Sequence, residues 1–214
     1  MGGAAAPQTI DIADSEAPAV VLASASRARL ELLLRAGVAA CAEPAHVDEE
    51  EVRASLRAEN AGVEDAAETL AELKARKVSR HALDAFVIGA DQILDCDGAW
   101  FDKPPDRARA AADLRALSGK RHSLATAVCV VRDGTRLWHH RESARLTMRP
   151  LGDAFIEAYL DTLGVDALAS VGAYQLEGLG AQLFSRVEGD YFTILGLPLL
   201  PLLEFLRNHG VVAR

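Results

Sequence analysis

Asp91 follows a five-residue apolar run, Phe86-Val87-Ile88-Gly89-Ala90, and a carboxylate in that setting is a candidate ligand for a hard cation. The run reads as a central strand ending at Asp91-Gln92, and carboxylates at the ends of buried strands open onto the ligand crevices of α/β folds. An aspartate of ordinary pKa is a weak base near neutrality. It is more effective when it holds Mg²⁺ or Mn²⁺, or orients a water that the metal has acidified. The run Asp48-Glu49-Glu50-Glu51 offers a second metal carboxylate, or else a solvated acidic loop or helix start.

Basic and hydroxyl groups suggest the partner of such a cation. Ser24-Ala25-Ser26-Arg27-Ala28-Arg29 follows the apolar run Ala19 to Ala23 and precedes Leu30, Leu33 and Leu34 at helical spacing. It reads as a strand-to-helix turn capped by Ser26, with Gly37 as the helix stop. A helix N-terminus presents unpaired N–H groups and the positive end of the dipole. With Ser24, Ser26 and Arg29 it makes an anion cradle; the plainer reading is a capping turn with solvated arginines. Lys74, on a helical segment from Glu64 to His81, and Lys103, before Pro104-Pro105, are point charges suited to a polyphosphate. Glycines in the segment Gly172 to Gly180 permit close backbone approach to a ligand. Glu177 within it can accept hydrogen bonds from a base edge bearing N–H donors.

These residues must be positioned by an alternation of strands and helices with hairpins among them. Asp95-Cys96-Asp97-Gly98 and Arg132-Asp133-Gly134 are hairpin signals. The second joins two long strands, His122 to Val131 and Thr135 to Met148. Helices are expected at Asp106 to Leu117, Gly152 to Leu163 and Pro198 to Asn208, and further strands near Val38 to Ala42 and Gln182 to Val187. The fold class is α/β in the mixed α+β sense, with a mixed sheet and flanking helices. Residues 1–18 carry neither the basic start nor the apolar stretch of a secretory signal and read as a flexible extension, leaving 19–214 as one domain.

The 214 residues carry a net charge of -8, which argues against a coat for nucleic acid or an anionic membrane surface. A local basic pocket for a small anion remains compatible with it. Three separated cysteines, Cys41, Cys96 and Cys129, read as free thiols in a reducing, cytoplasmic setting, with Cys129 in the core. Zinc-site spacings, a P-loop and a dinucleotide-binding glycine fingerprint are all absent. His139 and His140, adjacent on a strand, point to opposite faces. Ser24 or Ser26 as a nucleophile lacks an identifiable His/Asp partner.

Taken together, the segments resemble the Maf family of nucleoside triphosphate pyrophosphatases, over roughly Val20 to Arg207. The resemblance rests on Leu22-Ala23-Ser24-Ala25-Ser26 with Arg29, Val47-Asp48-Glu49, Ile88-Gly89-Ala90-Asp91-Gln92 and Lys103-Pro104, together with Leu117-Ser118-Gly119, Gly172-Ala173-Tyr174, Glu177-Gly178-Leu179-Gly180, Gly189-Asp190-Tyr191 and Gly196-Leu197-Pro198. It implies a twisted mixed sheet in two lobes around a cleft, often in a homodimer, and hydrolysis between the α- and β-phosphates to a nucleoside monophosphate and pyrophosphate. It implies Asp91 as catalytic acid/base, Glu49 as its acidic partner at a divalent metal, and Ser24, Arg29, Lys74 and Lys103 as the phosphate-holding set. Arg27 and Ala28 stand where the family usually has Pro and then Arg or Trp. Gln92 and Glu177, with Ala28, mark substrate choice and point to the branch acting on 7-methyl-GTP, rather than on dTTP or UTP. The competing expectations are a nucleotide-binding regulator of cell division with little turnover, and a phosphatase of another kind.

Overall fold

The computed structural model describes residues 19–213; the extension expected over residues 1–18 lies outside them. The chain begins with β1 (Val20–Leu22), α1 (Arg27–Arg35) and β2 (Ala40–Ala42), then runs through α2 (Glu49–Ala58) and α3 (Val63–Ser79) into the long β3 (Phe86–Cys96). The second half is β4 (Ala99–Phe101), α4 (Arg107–Leu117), β5 (Arg121–Arg132), β6 (Thr135–Met148) and α5 (Asp153–Leu163). Three 3₁₀ turns lead to β7 (Phe184–Glu188), α6 (Tyr191–Ile194) and α7 (Leu199–Asn208). The expected mixed sheet forms: seven strands, in the order β2-β1-β3-β5-β6-β7, with β4 also on β3. β1, β2 and β3 are parallel to one another, and the other pairings are antiparallel. Both expected hairpins are present, Asp97-Gly98 and Asp133-Gly134 taking the two left-handed positions that suit strand twist. No helix among the described residues is long and apolar enough to cross a membrane.

One expectation is corrected. β3 does not end at Asp91 but continues to Cys96, paired with β5 from Val87↔Val131 to Asp95↔Ser123. What ends there is its neighbour on the other edge. β1 pairs with β3 only as far as Leu22↔Ile88, and β4 begins at Leu94↔Phe101. The interval between them leaves one edge of β3 unpaired by any strand, and Asp91 lies within it. The ladder with β5 keeps the strand extended through a charged residue, because the carboxylate has cationic partners described below.

Two apolar clusters occupy one face of the sheet. Phe86, Ile88 and Ala90 pack with Leu33 of α1 and with Leu202 and Leu206 of α7. Leu94, Leu124 and Leu146 pack with Leu114 of α4 and Leu160 of α5. Gln92 and Thr126, cross-strand partners, separate the two clusters. Alternation along β3 turns Val87, Asp91 and Ile93 to the other face, where α3 lies, with Ala71, Ala75 and Val78 in its contact face. Cys129 is buried there as expected, and all three cysteines are free thiols.

Gly89 sets the distance between α3 and β3. A Cβ at this position would stand 2.0 Å from the Ala71 carbonyl oxygen and 2.8 Å from the Ala75 amide nitrogen. Helix backbone therefore rests directly on strand backbone, one turn of α3 from Lys74 and two residues of β3 from Asp91. Gly89→Ala should push the helix outward and lower unfolding free energy by about 1–3 kcal/mol, the usual cost of overpacking. Gly152→Ala, whose Cβ would meet nothing within 4 Å, is the control and should stay within about 0.5 kcal/mol. Urea denaturation of the two variants checks this; equal midpoints would remove the close-approach argument.

Candidate active site

The acidic run resolves into the start of a helix. Asp48 caps α2 by accepting from the Glu51 amide at 3.0 Å, and Glu49, Glu50 and Glu51 fill the first turn, where the dipole favours anions. Val52 and Leu56 seat the helix beside α3, and Arg57 stacks over the Trp100 ring at 4.9 Å. With that face anchored, Glu49 and Arg53, one turn apart, turn toward β3.

There they meet Asp91, which is only 3 % exposed. Lys74 Nζ lies 2.6 Å from Asp91 Oδ1 and 2.7 Å from Glu49 Oε1. Arg53 donates through Nη2 to Asp91 Oδ2 at 3.2 Å and to Glu49 Oε2 at 3.3 Å, and through Nη1 to Asp102 Oδ1. Three carboxylates thus share two buried cations. Burial opposes the charge on Arg53, but Asp91, Asp102 and Glu49 outweigh it and raise its pKa above the ordinary value.

The Ser24 turn closes the opposite wall. Ser26 caps α1 by accepting from the Arg29 amide at 3.4 Å. Arg29 is itself buried. It donates to Ser24 Oγ at 3.2 Å, to the Ala90 carbonyl at 2.8 Å on the unpaired edge of β3, and to the Gly196 carbonyl at 2.7 Å. Burial lowers its pKa, against the pull of Asp91 and Glu49. Lys103 stands beyond β4 with no carboxylate within ion-pair distance among the described residues. Partial burial, then the neighbouring Arg29 and Lys74 charges, lower its pKa from the usual lysine value. An incoming anion would relieve that repulsion.

All of these groups line one cleft of about 1150 Å³, which also reaches Gln92, Tyr174 and Glu177. A smaller cavity of about 330 Å³ adjoins it, walled by Leu32, Tyr191, Phe192 and Leu199 and sharing Ala28, Glu31, Glu177 and Leu195 with the cleft. Gln92 Nε2 is held by Thr126 Oγ1 at 2.8 Å and by the Thr193 and Ile194 carbonyls at 3.0 and 3.2 Å. Glu177 is exposed and makes no ion pair or hydrogen bond among the described residues.

Residues 19–209 match the family described as Maf-like protein. The chain belongs to the Maf family. It is 57% identical over 190 residues to a nucleoside triphosphate pyrophosphatase of Paramagnetospirillum magneticum, covering 89% of this chain and 98% of that one. It is 53% identical over 195 residues to a protein of the same name from Rhodospirillum rubrum, covering 91% and 96%. It is 50% identical over 195 residues to a 7-methyl-GTP pyrophosphatase of Rhizobium meliloti, covering 91% and 98%.

Every candidate site residue of the sequence analysis, Ser24, Ser26, Ala28, Arg29, Glu49, Lys74, Asp91, Gln92, Lys103 and Glu177, lies on this cleft. Their conditions differ. Lys74 already bridges two carboxylates, and Arg29 has committed Nε and Nη1 to the protein, leaving Nη2 unengaged among the described residues. Two groups escape the sequence reading, Arg53 and Asp102. The available signal was the i, i+4 spacing of Glu49 and Arg53 on a helix whose other face is marked by Val52 and Leu56.

Behind the cleft wall, Gly172 (φ 73°) and Ala173 (φ 59°) carry the chain through two left-handed residues into Tyr174. The Tyr174 hydroxyl pairs with His122 Nε2 at 2.9 Å, and Phe184 packs edge-on against the tyrosine ring. Burial pushes the His122 pKa down to about 4. The folded state therefore refuses a proton that the unfolded chain takes up below about pH 6.5, so stability is lost as pH falls from there toward 4, by up to about 3 kcal/mol. In His122→Gln, the pH dependence of unfolding free energy across that window should flatten by about one proton. Parallel wild-type and variant slopes in chemical denaturation would contradict a buried neutral imidazole.

Proposed function

We propose that this chain hydrolyses nucleoside triphosphates between the α- and β-phosphates, giving a nucleoside monophosphate and pyrophosphate. The observation that carries the reading is the convergence of Asp91, Glu49 and Lys74 in a cleft that also holds Arg29, Lys103 and the hydroxyls of Ser24 and Ser26. The names of the relatives agree with it.

In this reading the triphosphate lies between the Ser24 turn and Lys103. Lys103, the unengaged Nη2 of Arg29 and the hydroxyls of Ser24 and Ser26 neutralise its oxygens. A water attacks the α-phosphorus, the bond to the bridging oxygen breaks with its electron pair on the pyrophosphate, and the water's proton passes to Asp91 Oδ. Lys74 and Arg53 hold both Asp91 oxygens in place, and each oxygen keeps a second lone pair for the water. Asp91 and Glu49 are hard oxygen donors facing the cleft. Among the described residues no cluster of three or more His, Cys, Asp or Glu could hold an ion. Two carboxylates alone suit Mg²⁺ or Mn²⁺ brought in with a polyphosphate, since Mg²⁺ takes one or two carboxylates and completes its shell with phosphate and water. A cation held there would supply Lewis-acid stabilisation and an acidified water.

For the base we propose a guanine type, with 7-methyl-GTP favoured. Glu177 is an unpartnered carboxylate able to accept from N1–H and the exocyclic amine. The adjoining cavity sets the Tyr191 and Phe192 rings and apolar side chains beside it, a setting that suits a cationic, methylated purine. The Rhizobium meliloti relative carries that substrate in its name.

Asp91→Asn should cut pyrophosphate release at least about 10²-fold, the scale for loss of one well-placed charged group. Retained turnover would refute the assignment. Tight nucleotide binding by the wild type without pyrophosphate release would support a nucleotide-sensing role instead. Glu177→Gln should narrow the preference for 7-methyl-GTP over UTP by roughly 10-fold, the value of one hydrogen bond to a charged group. An unchanged ranking across a nucleotide panel would remove Glu177 from specificity.

A further inference from the structure

Among the described residues, Arg53 is the one cation in the cleft that touches three carboxylates from three separate parts of the chain. Glu49 is on its own helix, Asp91 is on β3, and Asp102 follows β4 immediately before Lys103. It is only 8 % exposed, and its Nε has no partner among the described residues. A long side chain held in that state is placed by its carboxylates, since it loses rotamer freedom and hydration without full satisfaction of its donors.

We propose that Arg53 is a positioning residue. Through Nη2 it fixes Asp91 and Glu49, and through Nη1 and Asp102 it fixes the segment that presents Lys103. The planar guanidinium is what permits this, because its donors leave in fixed divergent directions that a lysine ammonium does not reproduce. Lys74 already bridges Glu49 and Asp91 from the α3 side, but no contact of Lys74 reaches Asp102. Among the described residues Arg53 alone joins the carboxylate pair to the Lys103 segment. Its removal would leave Glu49 and Asp91 to Lys74, take from Asp102 its cation among the described residues, and free the Asp102–Pro105 stretch to carry Lys103 away from the cleft.

The kinetic arm of the test rests on the pyrophosphatase reading. In the full chain, Arg53→Met should lower kcat for pyrophosphate release about 10²-fold. Asp102→Asn, which weakens only the Lys103 arm by removing its charge, should raise KM for the triphosphate several-fold and leave kcat nearly intact. The two effects should not multiply: once Arg53 is gone, Asp102→Asn has nothing left to disconnect. Arg53→Lys, which restores charge without the fork, should recover only a small part of kcat. Thermal unfolding identifies variants that retain the fold; if Arg53→Met does not, Arg53→Lys and Asp102→Asn decide the matter. Full activity of Arg53→Lys overturns the proposal, as does an Asp102→Asn effect on KM that persists undiminished in the Arg53→Met background. Should the wild type release no pyrophosphate from any triphosphate, the functional reading fails. The same double-variant cycle in unfolding free energy then tests Arg53, with additivity of the two substitutions as the refuting result.

Discussion

The geometry around Asp91 depends on how closely α3 lies on β3. Helix-on-sheet packing ordinarily leaves room for side chains between the layers. Here Gly89 removes one layer, and the backbone of Ala71 and Ala75 occupies the space a Cβ would take. This brings Lys74 within 2.6 Å of Asp91, so a short distance between two charges follows from a missing methyl group two residues away. The small residues of α3, Ala67, Ala71 and Ala75, serve the same contact. A larger side chain at any of them would lengthen the ion pair that fixes the catalytic carboxylate in the proposed mechanism.

Electrostatics then explains why a cluster so rich in buried charge holds together. An isolated buried carboxylate is strongly unfavourable, and pairing compensates only if geometry and hydrogen bonding are good. Asp91 satisfies this with one cation on each oxygen; the more exposed Glu49 shares both cations, and Asp102, also more exposed, shares Arg53. Lys103 and Arg29 lie outside that balance. Their lowered pKa values reflect burial first and, for Lys103, neighbouring positive charge next. Arg29 and Lys103, in no ion pair among the described residues, are fixed positive charges of the kind a polyphosphate completes, and such charges favour an anion more than mobile water dipoles do.

Most of this architecture was legible because it is local. The apolar run at Phe86, the Asp-Gly hairpins, the Ser26 cap and the Leu30, Leu33, Leu34 spacing are written within a few residues and survive in the fold. Asp91 was misplaced for a non-local reason. A charge after an apolar run looks like the end of a strand, and only the pairing partners reveal that β1 stops there while β3 continues. The same limit hid Arg53. On α2 it looks like any solvated arginine, since its three carboxylates lie 4, 38 and 49 residues away along the chain. α6 is not legible, because four residues hold too little periodicity to read. Its position matters nonetheless, since the Thr193 and Ile194 carbonyls hold Gln92.

Arg29 shows how a single residue can belong to both the fold and the site. Its hydrogen bond to the Ala90 carbonyl satisfies an acceptor on the edge of β3 that β1 and β4 leave unpaired, and its bond to the Gly196 carbonyl ties in the segment after α6. Gly196 reaches that carbonyl with φ 96°, and a Cβ there would stand 3.1 Å from Arg29 Nε. The phosphate-side wall is therefore assembled by an arginine that is itself held by backbone. A guanidinium so constrained cannot reorient when an anion arrives, so its remaining donor acts from a fixed place. Lys103, with no such tie, owes its position to the segment that carries it. The two sides of the proposed phosphate site thus differ in kind, one rigid through backbone hydrogen bonds and the other set by ion pairing at Asp102. High salt weakens exposed ion pairs far more than buried backbone hydrogen bonds. Asp102 is half exposed although Arg53 is buried, so salt should act on the Lys103 side of the cleft before it reaches the Ser24 turn.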